Sequence, residues 1–204
     1  MFPLYALLIG LVAGTAFGGT IANLGRLRFR WAGLALAGLM AQVLLFAEPV
    51  AAGIGAAGPP IYVASSVLVL VVLLRNLHLG GLRLVAVGAI ANLAAIVANG
   101  GSMPASADAL AALGKSVGEA YSNSVAATNP ALAGLTDVYA LPAWLPFANV
   151  FSIGDALIGA GIALAVVIGM RAESGGARRH RHHGHPVVVR MGHGSGAEPP
   201  IGSA

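Results

Sequence analysis

Five apolar stretches, at residues 4–22, 31–47, 61–77, 84–98 and 153–170, dominate this chain, and the connectors between them and the tail after the last carry nearly all of its charge. At 1.5 Å rise per residue, helices of these lengths cross most or all of a hydrocarbon core about 30 Å thick. Only 9% of residues are charged and 57% are hydrophobic, too little charge to cover a water-soluble surface. Lipid removes that requirement, because outward faces there are as apolar as inward ones. The sequence therefore predicts an all-α integral membrane protein, a bundle of about five transmembrane helices with one long external connection at residues 99–150.

The basic residues orient the bundle. Of the 11 lysines and arginines, all but Lys115 fall in the first and third connectors (Arg26, Arg28, Arg30, Arg75, Arg83) or after the last stretch (Arg171, Arg178, Arg179, Arg181, Arg190). Glu48, Asp108, Glu119 and Asp137 fall with Lys115 on the other side. The positive-inside rule then places the N-terminus and residues 99–150 outside and the C-terminus in the cytoplasm, as an odd number of spans demands. Met1-Phe2-Pro3 lacks a basic n-region, so the first stretch reads as a retained span rather than a cleaved signal. The third stretch, opened by Pro59-Pro60, competes with a short helix that enters and returns. Residues 1–173 form the transmembrane domain, and the Gly-, Arg- and His-rich tail 174–204 lacks the apolar content for a core and reads as disordered. That tail suits a topology anchor, anionic lipid or a soft metal, with flanking arginines opposing a cation.

Small residues recur at four-residue spacing as Gly10, Gly14 and Gly18 and again as Gly161, Ala165 and Gly169, the pattern of faces that let helices approach closely. Asn92 falls near the middle of the fourth stretch, where an amide needs a partner, either for packing or to line a cavity. Gln42 sits towards the outer end of the second. The outer ends of the last two stretches concentrate polar groups: Asn99, Gly100, Gly101, Ser102, Met103 and Pro104 leave one helix, while Ser152, Gly154 and Asp155 open the next. Capping explains each singly, and convergence would make a shallow external pocket. Asp137 is a second external carboxylate, read as a turn residue or as a general base or cation ligand working with Asp155. Within the connection, residues 105–121 predict a surface helix, and 135–147, with Pro142, Trp144 and Pro146, an interfacial segment. No cysteine is present and no HExxH, P-loop, dinucleotide or GxSxG motif occurs, so no cofactor, metal or catalytic machine is expected.

Asn99-Gly100-Gly101-Ser102-Met103-Pro104 after an asparagine-bearing span, Leu135-Thr136-Asp137, and Phe151-Ser152-Ile153-Gly154-Asp155 before a final apolar helix resemble an uncharacterised family of bacterial multi-pass membrane proteins, a domain of unknown function. The resemblance covers about residues 1–173 and implies the bacterial cytoplasmic membrane, without implying a reaction. The expected partners are the lipid bilayer and a homodimer or membrane complex, not nucleic acid. Three functions stay open: binding or transport of a small molecule or lipid, a structural or assembly subunit, and an enzyme acting on a lipid-linked substrate at the external face. The first is favoured, and catalysis is the less expected.

Overall fold

The computed structural model of the chain describes residues 2–114, 124–126 and 129–172; Lys115, Glu119 and the tail 174–204 lie outside them. The described chain is mostly helical. Helix α1 (Phe2–Ala16) ends well before Ala22, where the sequence predicts its span to end, because Gly18 turns the chain at φ +76° and Thr20 begins a separate turn, α2 (Ile21–Leu24). Helix α3 (Ala32–Leu45) is followed by α4 (Glu48–Ile54) and a 3-10 turn, Gly55–Ala57. Helix α5 (Gly58–Arg75) is continuous, with its prolines in the first turn, where a missing N–H costs nothing. It starts earlier than the predicted 61 and stops at Arg75, so its length is gained upstream of the prolines rather than towards Leu79. Helix α6 (Leu82–Ala98) and the last long helix, α8 (Ile153–Arg171), lie close to prediction.

Side-chain contacts fix the direction of each long helix. Phe2 and Ala6 meet Gly159, Gly10 meets Ala163 and Val166, and Gly14 meets Met170, so α1 and α8 run parallel. Gly81 lies against Gly161 and Ala165, and Gly88 against Gly154 and Ile158, so α6 runs antiparallel to α8. Arg30 is tied to Asn76, Gly38 lies against Ser65 and Val69, and Gln42 Nε2 donates to Ser66 Oγ at 3.1 Å, so α3 runs antiparallel to α5. Helices α5 and α6 are joined by the tight turn between Asn76 and Gly81 and pack Tyr62 and Val63 near Ile96. The spatial order is therefore α1–α8–α6–α5–α3, with α1, α5 and α8 pointing one way and α3 and α6 the other.

Helices α1 and α3 bury small residues along much of their length and turn large ones outward, whereas α6 and α8 also bury Leu82, Val85, Ile96, Val166 and Met170. Helix α1 buries Ala6, Gly10 and Gly14 while exposing Leu4, Leu8, Ile9 and Val12. Helix α3 buries Gly38 and Leu45 and exposes Leu34, Leu36, Leu39 and Val43. Water would drive the reverse arrangement. The three glycines of α1 do not share one role: Gly10 and Gly14 meet α8, whereas Gly18 faces open space at the turn and Gly19 takes its place against Met170. On α8, Gly161 and Ala165 receive α6, but Gly169 receives Leu24 and Leu27. Among the described residues, Gly55–Arg75 and Ile153–Arg171 are long and apolar enough to cross a membrane, and Phe2–Ala16, Ala32–Leu45 and Leu82–Ala98 are shorter apolar helices.

The two ends of the bundle differ in charge. At one end lie Arg26, Arg28, Arg30, Arg75, Arg83 and Arg171, all exposed; it is closed by the buried Asn76, whose amide bonds both Arg30 O and Arg30 N, and by Asn23 Nδ2 on Met170 O at 2.8 Å. At the other, the described residues between 99 and 151 form short strands and turns. Strand β1 (Met103–Ala105) pairs in parallel with β2 (Ser124–Ala126), and Ala105 also bridges to Asp137. Of the predicted helix over 105–121, residues 115–121 lie outside the described residues, and over 105–114 it is replaced by the end of this strand and by the short α7 (Ala107–Ala111), capped by Ser106, with Gly114 at φ +66°. After the 3-10 turn Ala133–Leu135, strands β3 (Tyr139–Ala140) and β4 (Val150–Phe151) form an antiparallel hairpin that leads into α8. Trp144 and Phe147 on that hairpin are exposed, while Tyr5 Oη donates to Pro146 O and Phe2 stacks on Phe151 at 4.9 Å.

Candidate functional site at the carboxylate end

Helix α8 opens with a complete capping box. Ser152 Oγ accepts from Asp155 N at 3.0 Å, and Asp155 Oδ2 accepts from Ser152 N at 3.1 Å, satisfying two donors a helix start leaves open. Asn92 of α6 joins this cap: its Nδ2 donates to Asp155 Oδ1 at 2.8 Å, and its Oδ1 accepts from Ser152 Oγ at 2.8 Å. The three side chains close a ring in which both oxygens of Asp155 accept a hydrogen bond. Gly154 makes the ring possible, since a Cβ there would occupy the space of Asn92 Oδ1. Asn92 thus has an interhelical partner, as an amide within the fourth stretch needs. Helix α8 begins level with it, so its partner is a helix terminus.

Asp137 lies above this ring. The turn Ala133–Leu135 packs on both α6 and α8, and two residues later Asp137 N donates to Pro104 O at 3.0 Å while Asp137 O accepts from Ser106 N at 3.0 Å. These bonds hold its backbone against β1, and the residue is 8% exposed. Its Oδ1 is buried without a hydrogen-bond partner, alone in this among the described side chains. Burial pushes the carboxyl from its ordinary 3.8 up to about 7, and the negative charge of Asp155 pushes in the same direction. No basic side chain among the described residues stands at this end to offset either carboxylate. A buried acceptor without a donor is costly, and such a group calls for a proton or a ligand atom that donates to it.

The remaining members of the predicted cluster are placed elsewhere. Asn99 holds the loop: its Nδ2 donates to Ala95 O at 2.8 Å and to Ala131 O at 2.9 Å, and its Oδ1 accepts from Ala131 N at 2.9 Å. Gly100 and Gly101 take φ +73° and +89°, and Gly101 presses on Pro59 of α5. Met103 is buried with Ala95 and Ile96, and Pro104 serves through its carbonyl, which positions Asp137. The Asn-Gly-Gly turn therefore builds the roof rather than contributing to the polar ring. Sequence reasoning passed over Asn76 and Asn23 as connector residues; an asparagine just beyond an apolar run, where helix-end carbonyls need donors, is the signal that could have found them.

The polar atoms of the ring are engaged with one another. Ser152 Oγ donates to an amide oxygen and has no base to activate it. Both Asp155 oxygens are engaged, and no group of three His, Cys, Asp or Glu able to hold a metal occurs among the described residues. A family model described as "Family of unknown function (DUF5317)" matches residues 26–167, more than half of the chain. The chain belongs to this family. The matched region takes in Asn92, the Asn-Gly-Gly turn, Asp137 and the capping box of α8, and it starts after α1. No curated protein and no solved structure matches the chain.

Proposed function

We propose that this chain is a five-span protein of the bacterial cytoplasmic membrane, with its N-terminus outside and its C-terminus in the cytoplasm, and that it binds or carries a small molecule or lipid through Asp137 at its outer end. The membrane part is supported by the outward-facing leucines and valines, by the alternating directions of α1, α3, α5, α6 and α8, and by the arginines gathered at one end. The observation that carries the binding part is the buried, unpartnered Asp137 Oδ1 above a ring whose other polar atoms are already paired. An acceptor set of this kind, with no positive charge nearby among the described residues, selects a ligand that presents a hydrogen-bond donor, above all a cationic one.

Both parts are open to direct test. Single cysteines replacing Arg28 or His78 should react with a membrane-impermeant maleimide only from the cytoplasmic side, and one replacing Ala56 only from outside; labelling of positions 28 and 56 from one side sinks the topology. For binding, purified protein is screened by thermal shift against amines, zwitterionic lipids and neutral metabolites at pH 8. A ligand that stabilises the wild type and leaves Asp137→Asn unmoved supports the reading, and a panel with no such compound counts against it. A structural or assembly role is the second reading, favoured by α3. It ends the row with α5 as its long-helix neighbour and turns Leu34, Leu36, Leu39 and Val43 outward.

A further inference from the structure

The arginine end holds a cavity of about 400 Å³ that the outer site does not use. It lies between α8 and the two turns packed beside it, and its walls are apolar: Leu24, Leu27 and Phe29 on one side, Leu79 and Leu82 on another, Ile162 on α8. Among the described residues, His78 is the only titratable one lining it. The cavity-lining residues are interleaved in sequence with exposed arginines, since Arg26 and Arg28 flank Leu27, Arg28 and Arg30 flank Phe29, Arg83 follows Leu82 and Arg171 precedes Ala172. All the acidic side chains described, those of Asp108, Asp137 and Asp155, belong to the opposite end.

An apolar chamber beside a cluster of positive charge is complementary to one kind of molecule in particular. A hydrocarbon chain fills such a chamber with no polar group to satisfy, and an anion just outside it meets guanidinium groups suited to phosphate. We propose that this cavity takes an acyl chain of an anionic phospholipid whose phosphate lies between Arg28 and Arg83. The site depends on the membrane reading given above, which makes this end the cytoplasmic leaflet, but not on any ligand at Asp137. Zwitterionic lipids offer the same chains with a cancelling charge, and inorganic phosphate offers the charge with nothing for the chamber. Selectivity therefore needs both features together.

The full chain in detergent, incubated with equal amounts of phosphatidylglycerol and phosphatidylcholine of identical acyl chains, is examined by native mass spectrometry. The wild type should retain the anionic lipid in preference by about tenfold, with millimolar phosphate unable to displace it. Arg28→Gln with Arg83→Gln, both exposed positions, should bring the ratio close to unity, and Ile162→Trp, which fills the chamber, should abolish retention of either lipid. Equal retention by the wild type overturns the proposal, as does a preference that survives the double arginine variant. If the tryptophan variant fails to fold, the arginine variant alone decides. The membrane reading fails separately, through cysteine labelling that does not sort by side; a correctly sorted protein without lipid preference refutes only this site.

Discussion

Replacing Asp137 with Asn separates the cost of its charge from the rest of the fold. The residue is 8% exposed, and its carboxyl is pushed from 3.8 up to about 7, so the folded state holds the proton more tightly than the unfolded chain does. For a carboxyl whose folded pKa is the higher one, stability is greatest below the unfolded value, falls as pH rises from about 4 to about 7, and is level above that. The ionised form in the folded state is then disfavoured by about 4 kcal/mol in the limit, the free-energy equivalent of that rise. Asparagine has nearly the same shape and does not titrate. Asp137→Asn should therefore match the wild type near pH 4 and exceed its stability at pH 8 by up to about 4 kcal/mol, in the absence of ligand. Chemical denaturation in a mild detergent, followed by tryptophan fluorescence and near-UV circular dichroism at several pH values, measures the difference; contributions of other titrating groups cancel between the two proteins. A difference that does not change with pH refutes the reasoning. So does a variant that loses more stability at pH 8 than at pH 4, which would mean that the protein supplies the charged carboxylate with a donor of its own.

Three further outcomes follow from the same geometry. Gly154→Ala drives a methyl group into the position of Asn92 Oδ1, so it should break the polar ring and cost about 3 kcal/mol or more in denaturation experiments. Ser152→Ala removes the cap of α8 and leaves Asn92 Oδ1 without its donor; a loss of about 2 to 3 kcal/mol is expected, with amide exchange rising first in the opening turn of α8. Asn99→Ala releases Ala131 while leaving the ring bonds intact, so proteolysis should accelerate near residue 131 with the helical circular dichroism unchanged.

The rough extents of the long helices were legible in the sequence, because apolar runs and the charged connectors that interrupt them are local properties of the chain. The sequence also marked Asn92, Asp137, Ser152 and Asp155 as residues needing partners. What it left open was which of them meet. The Asn92 contact depends on the α6–α8 register, set by glycines such as Gly88 and Gly154 that let the two backbones approach, and no single segment encodes that register. For the same reason Asn99, adjacent in sequence to the cluster, was diverted to Ala131, while Asp137, far from Asp155 along the chain, was carried over the ring by the pairing of its backbone with β1. Helix ends were legible where local groups stop the helix, as at the Ser152 cap and at Asn99-Gly100-Gly101 after α6. Where glycines allowed several endings, as at residues 16–20, tertiary contact with Met170 selected one. Composition fixes which groups cannot stay unpaired in an apolar medium, and the packing of small residues between distant segments decides which of those groups find each other.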